Sequence, residues 1–267
     1  MLNLIELNAG VGPCLILIHG TAGSPASTWG AFANCLPGQH RILAFDFSRL
    51  AHADAHAQSL EGLARLLAAQ IEDCAEGHVH LIGYSLGAAL AIEVASIMPG
   101  NVLSLTLVAP FDHSRDARVC SNFEHWRQLL NDNPRALATQ IVAQGFCTAT
   151  FSAMGAEQLT ALTEAFYLRV DWPSVAAQLA LNLSLDVSAR VSRLRCPTAV
   201  VIGAADQLIP ARVSISLYER LADGRLFTLP CGHLIPAEDP EGLAKIVCLF
   251  VSGRTLPVCY PIAAEKR

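Results

Sequence analysis

The sequence predicts an α/β chain built on a mostly parallel central sheet, with helices on both faces and a helical cap insertion. Three observations lead there. Continuous apolar runs that read as buried strands alternate with segments whose apolar residues recur at helical spacing. The alternation stops between 111 and 190, where β-branched runs vanish and only helical patterns remain. At Gly83-Tyr84-Ser85-Leu86-Gly87, an apolar strand run turns directly into a helix-forming run, with a serine at the corner. The expected division is one domain over 1–267, with its core in 1–110 and 191–267 and the cap at 111–190.

Met1 to Asn8 reads as a first, edge strand. Cys14-Leu15-Ile16-Leu17-Ile18 has no polar break, as expected of a strand covered on both faces. It runs into His19-Gly20-Thr21-Ala22-Gly23-Ser24, a glycine-rich loop at the carboxyl end of a strand. Trp29 to Leu36 reads as a short helix, and Arg41 to Phe45 as the next strand, ending at Asp46. Leu60, Leu63, Ala64, Leu67 and Ile71 share one side of a helix over 59–74. Val79-His80-Leu81-Ile82 is the strand before the serine, 86–97 the helix after it, and 101–109 the next strand. In the insertion, helices are expected over 123–130, 135–144, 156–169 and 172–185, with Asn133 and Pro134 opening the second. Its large apolar side chains, such as Phe123, Trp126 and Phe166, are expected mainly to hold it together. Thr198 to Gly203 resumes the alternation. Pro210 starts a helix over 211–221, with Gly224 past its end, and 225–229 is a last strand. Asp239 caps a final helix in which Pro240 takes the first position, Leu243, Ile246, Val247 and Phe250 form one face, and Gly253 ends the run. Residues 254–267 show no pattern and read as a tail.

Composition removes several function classes. A net charge of −5, an isoelectric point near 6.0 and the lack of a basic block argue against nucleic acid or an anionic membrane as partner. Mean hydropathy is high at +0.40. Yet the charge-free run around the serine, 77–92, contains His78, His80, Ser85 and three glycines, and falls short of the roughly 18 apolar residues of a spanning helix. The first residues, Met1 to Glu6, lack a basic stretch and carry an early acid, so no signal peptide and a cytoplasmic location are expected. The nine cysteines are odd in number, and no two sit two or three apart. They read as reduced packing residues, neither a disulfide framework nor a zinc site. Histidines 52, 56, 78, 80, 113 and 125 lack metal-like spacing with a supporting acid, and the loop at 19–24 is not a phosphate loop. No metal and no cofactor are expected.

The serine corner is the candidate for chemistry. A strand that turns straight into a helix leaves no room for side chains at the flanking positions, hence Gly83 and Gly87. It pushes the serine out of the sheet beside the unpaired N–H groups of a helix start. Gly-x-Ser-x-Gly arises by chance in roughly one chain in ten of this length, so context decides. Ser85, Asp206 and His233 each lie just past the carboxyl end of an expected parallel strand, and in an open sheet those ends form one edge. A neutral serine needs a base, and histidine titrates near working pH. The histidine needs a carboxylate to set its tautomer. The N–H groups of Leu86 and Thr21 are the expected oxyanion donors. Asp112, just past the preceding strand, is the rival carboxylate. Asp46 reads as holding a turn, His19 as a structural hydrogen-bonding residue, and Cys231, two residues before His233, as a less well placed nucleophile.

Four motifs in order, His-Gly-x-x-Gly-Ser at 19–24, Gly-Tyr-Ser-Leu-Gly at 83–87, Gly-x-x-Asp-x-x-x-Pro at 203–210 and Gly-His at 232–233, resemble the α/β-hydrolase superfamily in its capped small-esterase branch. The likeness spans about 13–110 and 196–251. It implies a Ser85–His233–Asp206 triad and hydrolysis of a small-molecule ester or thioester through an acyl-serine. The branch includes pimeloyl-carrier methyl ester esterases, so an acyl-carrier protein meeting Arg115, Arg118, Arg127 and Arg135 is a possible partner, against a solvated face interleaved with Asp116, Glu124 and Asp132. Other reactions of the scaffold are carbon–carbon bond hydrolysis and acyl transfer or cyclisation. A non-catalytic receptor is disfavoured by three intact groups. One departure stands out. Such enzymes follow the Asp46 position with glycines, and here 46–54 has none, so the loop bordering the site should have a shape of its own.

Overall fold

The computed structural model describes residues 2–74, 78–253 and 262–265. Strands β1 (Asn3–Ala9), β2 (Cys14–Ile18), β3 (Arg41–Asp46), β4 (Val79–Tyr84), β5 (Val102–Val108), β6 (Thr198–Gly203), β7 (Gly224–Leu229) and β8 (Ile262–Glu265) form one sheet in the order β1-β3-β2-β4-β5-β6-β7-β8. The six inner strands are parallel; β1 and β8 close the two edges antiparallel. Register aligns the carboxyl ends: Ile18 lies opposite Gly83, Tyr84 opposite Val108, and Gly203 opposite Leu229. The loops after β2, β4, β6 and β7 therefore open on the same edge.

Helices α1 (Pro25–Cys35), α2 (Leu60–Cys74) and α3 (Leu86–Ile97) lie in the first half. Between β5 and β6 come only helices: α4 (Ala117–Asp132), α5 (Pro134–Gly145), α6 (Thr148–Ala153), α7 (Ala156–Arg169), α8 (Trp172–Ser184) and α9 (Ser188–Val191). After β6 follow α10 (Ala211–Glu219), α11 (Ile235–Glu238) and α12 (Pro240–Val251). The alternating side chains of β2 explain its uninterrupted apolar run. Leu15 and Leu17 join Trp29 and Phe32 of α1 and Leu243 and Val247 of α12 on one face. Ile16 and Ile18 join Leu67 of α2 and Leu90 of α3 on the other. Leu86 through Ala95 are all buried, because α3 is covered by the sheet, by α2 and by α9. Even its Glu93 is buried, paired with Arg190 of α9.

The two ends of the helical stretch between β5 and β6 meet. His113 pairs antiparallel with Asp186, and Val187 N–H donates to Asp112 C=O at 2.7 Å. Several features differ from the sequence reading: α4 begins at Ala117 and not 123, α6, α9 and α11 have no counterpart in it, and three further differences are local. α1 begins at Pro25, four residues early, because Ser24 and Ser27 cap it reciprocally: each side chain accepts the other's backbone N–H, at 2.9 and 3.2 Å. Gly224 opens β7 instead of following a helix to Leu221, since α10 stops at Glu219. Part of the expected tail is a strand, Arg225 facing Glu265 and Leu226 facing Ala264. Four residues are too few for a period to register, and the exposed ladder of β7 supplies the pairing. The rest of the tail, 254–261 and 266–267, lies outside the described residues. Cys35, Cys120, Cys147, Cys196, Cys231 and Cys248 are free thiols.

Candidate active site

Ser85 is held in a conformation side chains rarely adopt, φ 54° and ψ −118°. Its N–H is tied to Val108 C=O at 2.9 Å. The corner has no spare room. A Cβ on Gly83 would meet the Cα of Ala88 at 2.7 Å, and one on Gly87 the carbonyl carbon of Ile18 at 2.8 Å. Left-handed backbone on a serine is strained, and the packing of β2, β4 and α3 around it holds that strain.

The loops after β4, β6 and β7 bring three polar side chains together. His233 Nδ1 lies 2.7 Å from Asp206 Oδ2, and His233 Nε2 lies 3.1 Å from Ser85 Oγ. Asp206 Oδ1 accepts the N–H groups of Leu208 and Ile209, both at 2.9 Å, so the carboxylate is fixed by its own loop. Ionised, it accepts only, which assigns the proton at Nδ1 to His233 and leaves Nε2 free to accept from the serine. Ser85 and His233 are each 4% exposed. Tyr84 tilts against the His233 ring at 5.2 Å. Burial, with the charges of Asp206 and Glu238, pushes its phenol well above the usual range, so it stays neutral.

The rival groups lie elsewhere. Asp112 is fully buried, 2.6 Å from Arg220 Nη2, an ion pair at close range although not aligned as a hydrogen bond. The Cys231 thiol is pushed up to about 12, by burial first and then by Glu238, Asp239 and Cys147; a thiolate there is scarce at neutral pH. His19 is buried and stacks on Phe47 at 3.9 Å. Its Nε2 accepts the Phe47 N–H at 3.1 Å and its Nδ1 donates to Gly20 C=O at 2.8 Å. Asp46 Oδ1 is 3.7 Å from that Nε2, but a nitrogen already accepting has no proton to share. Asp46 instead holds the turn through the Ser48 N–H at 2.9 Å.

Thr21 lies in the loop after β2, which presses on the serine corner: a Cβ on Gly20 would stand 3.0 Å from Ser85 Cβ. Leu86 is the first residue of α3, so its N–H has no partner four residues back. Two groups of functional interest escaped the sequence reading. One is the row Ser174, Gln178 and Asn182 on α8, buried at 0%, 1% and 0%. A polar residue at every fourth position of an apolar helix was the signal available. The other is Glu238, which accepts the N–H of Gly232 at 2.7 Å, the N–H of Cys147 at 3.0 Å and the hydroxyl of Thr150 at 2.8 Å. It joins the loop bearing His233 to α6.

Among the described residues no cluster of three or more His, Cys, Asp or Glu could hold a metal ion, and no helix is long and apolar enough to cross a membrane. Of Arg115, Arg118, Arg127 and Arg135, three are already engaged, Arg115 with Asp186, Arg127 with Glu124 and Arg135 with Glu164.

Known proteins resemble this chain over nearly its whole length. A deacetylase of Xenorhabdus hominickii, pyrrolizixenacetamide deacetylase, is 30% identical over 93% of this chain and 94% of its own. The pimeloyl-[acyl-carrier protein] methyl ester esterase of Aromatoleum aromaticum is 25% identical over 90% of this chain and 99% of its own. The solved structure of MGS-M2, an alpha/beta hydrolase enzyme from a Medee basin deep-sea metagenome library, shares the fold with a TM-score of 0.82 at 18% identity, over 96% and 95% of the two chains. The sequence pattern of the alpha/beta hydrolase family matches residues 15–246, a span that takes in the six parallel strands, all but Cys14 at the start of β2, and the three hydrogen-bonded side chains at their edge: the chain belongs to the alpha/beta hydrolase family.

Proposed function

We propose that the chain is a serine hydrolase that passes an acyl group from an ester or thioester to Ser85 and then to water. The observation that carries this is the continuous hydrogen-bond path from Asp206 through His233 to Ser85, ending on a serine held at a strained corner. As Ser85 Oγ attacks the acyl carbon, His233 Nε2 takes its proton, and Asp206 stabilises the imidazolium without itself being protonated. The N–H groups of Thr21 and Leu86 receive the charge that develops on the acyl oxygen; one such donor is typically worth about 3–4 kcal/mol. His233 then protonates the leaving oxygen or sulfur. In the second half it takes a proton from water, which attacks the acyl-serine, and returns that proton to Ser85. Helices α4 to α8 act as a cap that keeps other water out.

With Ser85 and His233 each 4% exposed, little room is open beside the serine, and a short acyl group such as acetyl is favoured. The 30% identity to a deacetylase supports a second reading, cleavage of an acetamide by the same steps, with His233 protonating the leaving amine. The paired cap arginines leave little free positive charge for an acidic carrier protein.

The test compares p-nitrophenyl acetate, p-nitrophenyl octanoate and 4-nitroacetanilide on the wild type and on Ser85→Ala. Acetate should be turned over faster than octanoate, and Ser85→Ala should lose at least about 10³-fold in kcat. Ester turnover that persists in Ser85→Ala would end the serine mechanism. Labelling of Ser85 by a fluorophosphonate without hydrolysis of any of the three would move the chain to carbon–carbon cleavage or acyl transfer. Neither labelling nor turnover would leave a receptor.

A further inference from the structure

The buried polar row of α8 reaches two loops at the carboxyl edge of the sheet, those after β2 and β3. Ser174 Oγ accepts the Ala51 N–H at 3.0 Å. Gln178 Oε1 accepts the Ala22 N–H at 2.8 Å, while its Nε2 donates to Phe47 C=O at 3.1 Å. Asn182 Nδ2 donates to Thr21 Oγ1 at 2.8 Å. The positions step by four, so they share one face of the helix. This is also how a loop without glycine after Asp46 keeps its shape: its backbone is held by side chains from the helical insertion.

Two details point beyond ordinary packing. Ala22 has φ 59° without being glycine, a strained conformation that needs outside support. Gln178 grips that residue's own N–H. Asn182 leaves its Oδ1 buried with no partner among the described residues. A leucine would fill similar space with no orphaned acceptor, so stability alone does not account for an amide there.

We infer that Gln178 and Asn182 are positioning residues. They hold the Thr21–Ala22 segment so that the Thr21 N–H faces the oxyanion formed on Ser85. The inference rests on the serine-hydrolase reading. The loop already touches the serine through Gly20, so a small rotation of the Thr21 peptide would turn its N–H away. The seat of the cap on the core thereby sets the strength of the oxyanion site.

The test uses Gln178→Met and Asn182→Leu, which keep volume and lose the hydrogen bonds. Three readouts are needed: kcat and KM with p-nitrophenyl acetate, inhibition by a trifluoromethyl ketone that forms a charged tetrahedral adduct, and the urea midpoint. Gln178→Met should lower kcat about 30- to 100-fold, leave KM within about twofold, and weaken the ketone in proportion to kcat. Asn182→Leu should lower kcat about 5- to 30-fold while its urea midpoint equals or exceeds that of the wild type. A structural role would lower the midpoint and spare the ratio of ketone affinity to KM. If the ester is not a substrate, the second-order rate of fluorophosphonate labelling replaces kcat and should fall likewise. Values of kcat within twofold of wild type in both variants, or losses confined to KM, would overturn the inference while leaving Ser85 as nucleophile. Turnover surviving in Ser85→Ala would bring down both.

Discussion

Two aspartates follow parallel strands on the same edge, and their surroundings divide the work between them. Asp206 turns Oδ1 to two N–H groups of its own loop and Oδ2 to His233. Asp112, fully buried, faces Arg220, whose side chain is 32% exposed. Replacing the first should remove tautomer control and leave the fold intact. We expect Asp206→Asn to lower kcat by up to about 10⁴-fold with an unchanged melting temperature. Asp112→Asn should do the reverse. It removes the charge facing Arg220, at a cost below the about 3–5 kcal/mol of a wholly buried pair, because water reaches part of the Arg220 side chain, while kcat per folded molecule stays near wild type. Urea unfolding together with active-site titration separates the two, and a loss of kcat in both variants would contradict the assignment. The thiol of Cys231, pushed up to about 12, gives no reason to expect that alkylating agents stop turnover.

Beyond the sheet ladder and the two apolar layers, side chains that accept or donate across loops tie individual elements to one another. α8 does this for the loops after β2 and β3. Glu238, at the end of α11, does it for the segment before His233 and for the start of α6. Its position is tight. A Cβ on Gly232 would lie 2.5 Å from the Cys147 nitrogen, so the histidine loop and the insertion are in direct backbone contact there. Leu234 N–H adds a bond to Gly145 C=O at 2.9 Å. Removing the carboxylate leaves two N–H groups and a hydroxyl without their acceptor. Glu238→Ala should therefore lose about 2–3 kcal/mol of unfolding free energy, since bonds to a charged partner are the stronger kind. Equilibrium urea unfolding reads this directly; a change below about 0.5 kcal/mol would mean that water replaces the carboxylate.

Across the whole molecule, the sheet separates two apolar layers, and one of them contains a buried histidine at the end of the strands away from Ser85. His80 sits at 6% exposure with Nδ1 2.7 Å from Ser104 Oγ. Burial, and then the neighbouring His40, hold its pKa down to about 4 from 6.5. The unfolded chain therefore binds a proton at higher pH than the folded one does. The stability from this group is whole above pH 6.5 and drains as pH falls towards 4. The full shift corresponds to about 3 kcal/mol, and less to the extent that water reaches the ring. His80→Gln should flatten the fall in unfolding free energy between pH 7 and pH 4.5. An unchanged slope would show that other groups govern acid unfolding.

Strand and helix order was legible from the residues because it depends on local periods and on neighbours a few positions away. The corner at Ser85 was legible for the same reason: Gly83 and Gly87 answer to collisions within a few residues and with the adjacent strand. So were His233 and Asp206, named from their places after strands. Tertiary structure alone decided what distance along the chain conceals. It turned Asp112 towards Arg220 and seated the side chains of Gln178 and Asn182 on a loop more than a hundred residues earlier. It also added β8 to the free edge of β7. Such contacts leave no period in a sequence, because the hydrogen-bonding groups meet only after hydrophobic burial has brought distant segments together.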